Sequence, residues 1–300
     1  MTASTASRAN RTRSLATRVS AALHRRPRLR LAALLALPAT WLVVVYLLAL
    51  FALLATAFLS VDEFTNAVTA TLTTTNVSSV VTDPAYLRAT GRTVGVAAAV
   101  TVLCAVIALP MAFFMAKLTG PRTRGVLVAL VVTPLWASYL VKVYAWQAMV
   151  QPGSGVLDWA LHPLGLSGPG YGLGAAVLTL TYLWLPYMVL PVYAGLERMP
   201  DSLLDASSDL GAGPWRTFRS VVLPLVYPSL VAGSVFTFSL SLGDYITVQI
   251  LGGTTQLLGN IVFSNYAANL PFAAAVALVP VVVVVAYLAL VRRTGALDQL

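Results

Sequence analysis

Six apolar stretches, each long enough to cross a bilayer, leave this 300-residue chain few ways to fold. A membrane-spanning helix needs about 20 consecutive apolar residues. Such runs fall at about 31–59, 93–116, 125–150, 172–196, 221–251 and 272–291. Charged residues make up 10% of the sequence, against about 25% in an average soluble domain, so these surfaces must face lipid or one another. The pattern predicts an all-α polytopic membrane protein with six transmembrane helices. Ala55-Thr56-Ala57 looks like a signal-peptide cleavage site. A signal's apolar core is about 7–15 residues, however, and 31–59 is nearly twice that, so it reads as a retained first helix.

The basic residues orient the bundle. Residues 1–30 form an Arg-rich tail, Arg8 to Arg30, with eight arginines and no acid; it is expected to be partly disordered. With this tail in the cytoplasm, three more basic residues fall inside at 117–124, three at 197–220 and two at Arg292-Arg293, sixteen in all. Only Arg88 and Arg92 fall outside. Lys and Arg accumulate on cytoplasmic loops, so both termini are expected in the cytoplasm. The expected organisation is tail 1–30, first helix 31–59, a core at 60–291 with five further helices, and a C-terminal tail at 292–300. The net charge of +9 is thereby explained by membrane orientation, and no nucleic-acid partner is expected.

Several chemistries are excluded. The single cysteine, Cys104, allows no intrachain disulfide or cysteine-based metal cluster, and the two histidines, His24 and His162, stand far apart. No Gly-x-x-x-x-Gly-Lys-Ser/Thr loop is present, so this chain has no P-loop for ATP. No cofactor is expected on it.

One polar insert interrupts the apolar pattern, at 197–220. Pro200 marks a helix start and Gly211 a helix end. Between them Leu203, Ala206 and Leu210 share one face, while Asp201, Asp205 and Asp209 line another at i+4 spacing. Gly211 can adopt the left-handed conformation that turns the chain sharply. Pro214 opens a second helix with a Trp215, Phe218, Val222 stripe. The expected unit is helix, glycine elbow, helix.

The order Asp205-Ala206-Ser207-x-x-x-Gly211, with Leu223-Pro224 beyond it, resembles the EAA loop of type I ABC importer permeases. The string from Asp209 to Pro228 is similar to it over some twenty positions. Asp205 stands where that family usually has Glu, and Ser207 where it usually has Ala; neither change removes the acid or the small-residue surface. Leu140-Val141-Lys142-Val143-Tyr144-Ala145-Trp146, Ser241-Leu242-Gly243-Asp244-Tyr245-Ile246-Thr247, Leu251-Gly252-Gly253 and Leu258-Gly259-Asn260-Ile261 resemble segments of the first permease subunit of spermidine/putrescine transporters. The likeness runs over about 92–291.

The resemblance implies the type I importer permease fold in a bacterial inner membrane. It implies a second permease subunit, two cytoplasmic ATP-binding subunits that carry ATP and Mg, and an extracytoplasmic solute-binding protein. It also implies a coupling helix that docks on an ATP-binding subunit through Asp201, Leu204, Asp205, Ala206, Ser207, Asp209, Leu210 and Gly211. The implied solute is a polyamine, with another small charged solute as the alternative.

Lys142 and Asp244 are the ionisable residues, tyrosines aside, well inside the predicted spans. Such charges are expensive and mark functional sites by default. Lys142, Trp146, Asp244 and Tyr245 are therefore the candidate pathway residues, with Lys142 and Asp244 paired across spans three and five as one arrangement. In the alternative, Lys142 snorkels to a membrane end and the Gly-rich Asp244 segment is non-helical. An ion-coupled secondary transporter would want repeats and more midplane acids, and a membrane enzyme would need a nucleophile or metal constellation; neither pattern is present.

Overall fold

The structure is a computed structural model that describes residues 27–62, 67–293 and 295. The basic tail up to Arg26, Glu63 and the last residues of the C-terminal tail lie outside the described residues. The chain divides into two compact units at Ala55/Thr56.

The first unit contains α1 (Pro27–Thr40), a π-helical turn (Trp41–Leu47) and the start of α2 (Leu48–Thr56). Leu34–Thr56 is long and apolar enough to span a membrane. Its side chains at Trp41, Leu42 and Phe51 are exposed, as suits a helix whose solvent is lipid.

The second unit opens with a hairpin of β1 (Leu59–Val61) and β2 (Val68–Leu72), antiparallel with Val61 opposite Val68. A short helix, α3 (Thr75–Thr82), follows. These elements occupy the stretch between the first two apolar runs. Asn76 Nδ2 donates to the carbonyls of Ala57 (3.1 Å) and Leu59 (2.8 Å) and so ties α3 to the hairpin. The next span, α4 (Pro84–Phe113), starts nine residues earlier than its apolar run. Asp83 caps it by accepting the Ala85 N–H at 2.7 Å, and Pro84 supplies a preset first turn.

The third expected span, about 125–150, is broken. Pro134 lies inside α5 (Pro121–Trp136), and the break falls at Ala137-Ser138 before α6 (Tyr139–Val150), with the two helices bent by 96°. Proline removes one N–H and crowds the carbonyl four residues back; here the helix runs two residues further before stopping. The loop that follows holds α7 (Val156–Leu161).

The centre of the bundle is α4 packed against α8 (Leu173–Arg198) and α11 (Leu223–Gly243). Along α4, Val96, Val100, Cys104, Ala108 and Ala112 recur every four residues and are buried. Small residues let the backbones close up, as is usual between membrane helices. A Cβ on Gly233 of α11 would stand 2.6 Å from Met188 Sδ and 3.1 Å from Met188 Cα on α8.

Between α8 and α11 lie α9 (Ser202–Asp209), α10 (Pro214–Thr217) and a π-helical turn (Phe218–Val222). Pro214–Gly243 is continuous and apolar enough to span; at 1.5 Å per residue its 30 residues reach about 45 Å. The fifth span stops at Gly243, short of the expected 251, and resumes as α12 (Ile246–Leu251). Then come α13 (Leu258–Asn265), in a stretch expected to be loop, and α14 (Leu270–Arg293). Among the described residues five helices can span, and the bent pair α5–α6 makes six where it serves as one crossing.

Candidate functional site

Two interruptions of helix hold most of the candidate residues. The first is the elbow between α8 and α11. Helix α9 begins after Asp201, two residues beyond Pro200, and ends at Asp209. Gly211 has φ +74°. Its N–H donates to the Ser208 carbonyl at 2.8 Å, and the Ala212 N–H donates to the Ser207 carbonyl at 3.1 Å. This pair of bonds is a Schellman motif, which satisfies the last carbonyls of a helix while reversing the chain.

The elbow is anchored from inside and bare outside. Ser207 is buried, and its hydroxyl lies 2.8 Å from the Thr217 hydroxyl across the elbow. Leu204 is half-buried and lines a cavity of about 330 Å³ with Phe113 and Phe218. Two residues of the expected docking set thus point inward and support the elbow. Leu203, Ala206 and Leu210 are exposed, Leu210 at 88%. Asp205 and Asp209 are also exposed.

Asp201 does a different job from its i+4 partners. Lys117, at the end of the π turn after α4, is 6% exposed and donates from Nζ to Asp201 Oδ1 and to the Met199 carbonyl, both at 2.6 Å. The hydrogen bond from Lys117, then its charge, holds the Asp201 carboxyl below the usual carboxylate range. Beside it, Arg124 donates to the Ala116 carbonyl at 2.8 Å and lies 3.6 Å from Glu197. The sequence marked Lys117 only as an orienting charge; a lone lysine in a short loop carries no signal of its partner 84 residues away.

The second interruption is at Asp244, between α11 and α12. Asp244 is 8% exposed and extended, with φ −75° and ψ 121°. Its Oδ1 accepts the Thr247 N–H at 2.9 Å, satisfying a free donor of α12. Its Oδ2 accepts a short hydrogen bond from the Tyr139 hydroxyl, which also lies 2.8 Å from the Thr247 hydroxyl. Asn260, on α13, closes the break from the other side. Its Nδ2 donates to the Tyr245 carbonyl (3.1 Å) and to Gln249 Oε1 (3.0 Å).

Asp244, Tyr245, Tyr139 and Trp184 line an open cavity of about 330 Å³. Trp184 stacks on Tyr139 with centroids 6.1 Å apart, and its buried indole N–H has no partner among the described residues. The cavity therefore offers a carboxylate and aromatic faces.

Lys142 and Asp244 are not paired. The bend after Trp136 brings Tyr139, in the first turn of α6, to the carboxylate. Lys142, one turn on, reaches back to the Pro134 carbonyl at 3.2 Å. Trp146 packs on Tyr182 at 5.5 Å and does not line this cavity. Tyr245 stacks on Phe263 at 4.9 Å. Of the four expected pathway residues, Asp244 and Tyr245 come together. Thr247 and Asn260 stand in the segments that carry the family resemblance, but neither they nor Tyr139 belong to the expected pathway set, because hydroxyl and amide residues in apolar runs read as ordinary packing. Among the described residues no three His, Cys, Asp or Glu side chains group as a metal site.

Residues 108–294 match the family described as "Binding-protein-dependent transport system inner membrane component". The chain belongs to this family. It is 43% identical over 301 residues to the inner membrane ABC transporter permease protein YdcU of Escherichia coli, covering 94% of this chain and 95% of that one. It is 32% identical to the spermidine/putrescine transport system permease protein PotB of Haemophilus influenzae, over 80% of this chain and 85% of that one. The fold is similar, at 15% identity and TM-score 0.70, to a chain of a bacterial ABC transporter that imports the polysaccharide alginate, covering 92% and 99% of the two chains. The chain is a multi-pass inner-membrane permease subunit of an ABC importer. In such systems ATP hydrolysis lies on separate subunits.

Proposed function

We propose that this permease imports a polyamine of the putrescine or spermidine type, with the elbow docked on an ATP-binding subunit and Asp244 contacting the solute. The observation that carries this is the single helix joining the two interruptions. Pro214–Gly243 begins at the elbow and ends at Asp244, so a pull on α9 is delivered to the carboxylate through a packed rod. The elbow lies at the cytoplasmic end, where sixteen of eighteen loop and tail basic residues fall, and both termini lie there too.

The docking face is the exposed edge of Leu203, Ala206 and Leu210, flanked by Asp205 and Asp209. Leu204, Ser207 and Gly211 shape that face from beneath. Asp201, clamped by Lys117, fixes its angle to α4. ATP and Mg sit on two ATP-binding subunits. A second permease subunit completes the pathway, and an extracytoplasmic binding protein delivers the solute. At the break, the Asp244 carboxylate attracts an ammonium group and Tyr139, Trp184 and Tyr245 offer aromatic faces to it. The names of the PotB relatives support the polyamine assignment. Lys142 and Trp146, on α6, border the pathway without touching that cavity.

Uptake of labelled putrescine and spermidine, in cells with and without this chain, tests the proposal. A parallel strain carries Gly211→Pro, which fixes φ near −65° where the elbow needs +74° and removes the N–H given to Ser208. Uptake is expected to be lost in both strains. Polyamine uptake unchanged by deletion, with no redundant importer present, would overturn the substrate assignment and leave the permease assignment standing.

A further inference from the structure

The two arginines that break the charge rule share one concavity. Arg88 and Arg92 are the only basic residues assigned to the outer side, and they stand one turn apart near the start of α4. Both are exposed and line an open cavity of about 460 Å³. Thr254 and Gln256, from the loop after α12, and Ser264 and Asn265, from α13, form the opposite wall. Arg88 spends its Nε on the Pro84 carbonyl at 3.1 Å, which aims the remainder of the guanidinium. Among the described residues neither arginine lies within 4 Å of a carboxylate. The segment 252–271, which holds α13 and forms the facing wall, contains no charged residue.

From this we infer that the Arg88–Arg92 concavity receives a pair of carboxylate side chains on the solute-binding protein and is an anchor of that partner on the permease. The inference rests on the importer function proposed above and on the orientation that goes with it. Guanidinium groups bind carboxylates through two parallel hydrogen bonds, and two arginines four residues apart on a helix present two such forks side by side. Their charge complements an acidic surface, where it raises the encounter rate and fixes the register of docking.

The partner is a protein rather than a lipid because of the shape of the site. Three separate elements enclose it, and Thr254, Gln256, Ser264 and Asn265 face the arginines, with Ile261 as the apolar residue of that wall; a lipid would need continuous apolar surface for its acyl chains. Its wiring points the same way. Thr93, next to Arg92, accepts the Leu258 N–H at 3.0 Å through its hydroxyl, and Asn260, two residues on, holds the Tyr245 carbonyl. A partner seated on the arginines is thus two hydrogen bonds from the Asp244 break.

The test is titration of the purified cognate binding protein onto the assembled importer in nanodiscs, at several salt concentrations. Wild type is compared with Arg88→Gln/Arg92→Gln, Arg88→Lys/Arg92→Lys and the single Arg92→Gln, which removes no internal hydrogen bond and so protects against misfolding. Nanodiscs are made of phosphatidylcholine alone and of phosphatidylcholine with phosphatidylglycerol. The Gln pair should weaken binding on the order of thirtyfold and flatten its salt dependence in both lipids. Arg92→Gln should cost about fivefold, and the Lys pair less than either. Binding by the Gln pair within twofold of wild type would overturn the inference. So would weakening confined to phosphatidylglycerol nanodiscs, which would make the occupant an anionic headgroup. A wild-type importer that captures no binding protein would overturn the binding-protein partnership proposed above, and this inference with it.

Discussion

The elbow at Gly211 and the break at Asp244 solve the same problem, a helix that must stop and restart, in opposite solvents. At the elbow the chain reverses through a left-handed glycine, and its acids are exposed; Asp201 is 79% exposed although it is paired. At the break the backbone stays in ordinary extended geometry, and the acid is 8% exposed. Water can satisfy whatever the elbow leaves open. Inside the bundle each freed N–H and C=O needs a protein partner, and Asp244, Tyr139, Thr247 and Asn260 provide them. The elbow is therefore free to present its outer residues to a partner, whereas the break uses most of its polar atoms to hold itself together. What the break leaves over is one cavity with an aromatic wall.

The two regions are joined by Pro214–Gly243, so the largest effect should come from breaking the rod between them. Gly233→Leu forces a side chain onto Met188, 2.6 Å away from even its first carbon. Overpacking of this severity costs about 3 kcal/mol or more. Loss of assembled, detergent-stable protein is the expected result, read by size-exclusion chromatography. Next comes the break itself. Asn260→Leu leaves the Tyr245 carbonyl and Gln249 side chain without their donor, and should lower stability by about 2 kcal/mol, visible as a lower melting temperature in detergent.

A pair of glycine substitutions sharpens the contrast. Neither Gly211 nor Gly243 has an atom within 4 Å of a built Cβ, but only Gly211 has positive φ. Gly211→Ala should destabilise by about 1 kcal/mol, while Gly243→Ala should be neutral or slightly stabilising, since alanine favours helix. Equal effects at the two positions would contradict the stated geometry of the elbow.

The smallest effect is at the Lys117–Asp201 clamp. Because the Asp201 carboxyl is held below its usual range by Lys117, its contribution is present above the ordinary carboxylate pKa and lost as pH falls through the lowered value. Stability of wild type should thus drop more than that of Asp201→Asn between pH 5 and about pH 3, as followed by thermal unfolding across that range.

Much of this was legible in the sequence where the signal is local. Hydropathy located the spans, and Gly211 and Pro214 marked the elbow because left-handed φ and a missing N–H are properties of single residues. What escaped depended on contacts distant along the chain. Leu204 and Leu203 are adjacent and equally apolar, yet only the tertiary fold decides which turns inward over Phe113. Pro134 is a helix breaker by residue type, yet the chain breaks at Ala137-Ser138. The Asp244 partner is Tyr139 rather than Lys142 because the 96° bend sets which turn of α6 faces α11. No periodicity records that angle.

The central claim is that the elbow couples to ATP hydrolysis while Asp244 meets the solute. It is tested most directly by measuring ATP hydrolysis and putrescine uptake together, in proteoliposomes of the complete importer carrying Asp244→Asn. Asparagine keeps the acceptor for the Thr247 N–H and removes the charge. Binding-protein-stimulated hydrolysis is expected to persist within a few-fold of wild type while uptake falls on the order of a hundredfold, about 2.7 kcal/mol. Uptake that stays at the wild-type level would contradict the assignment of Asp244 to the solute pathway.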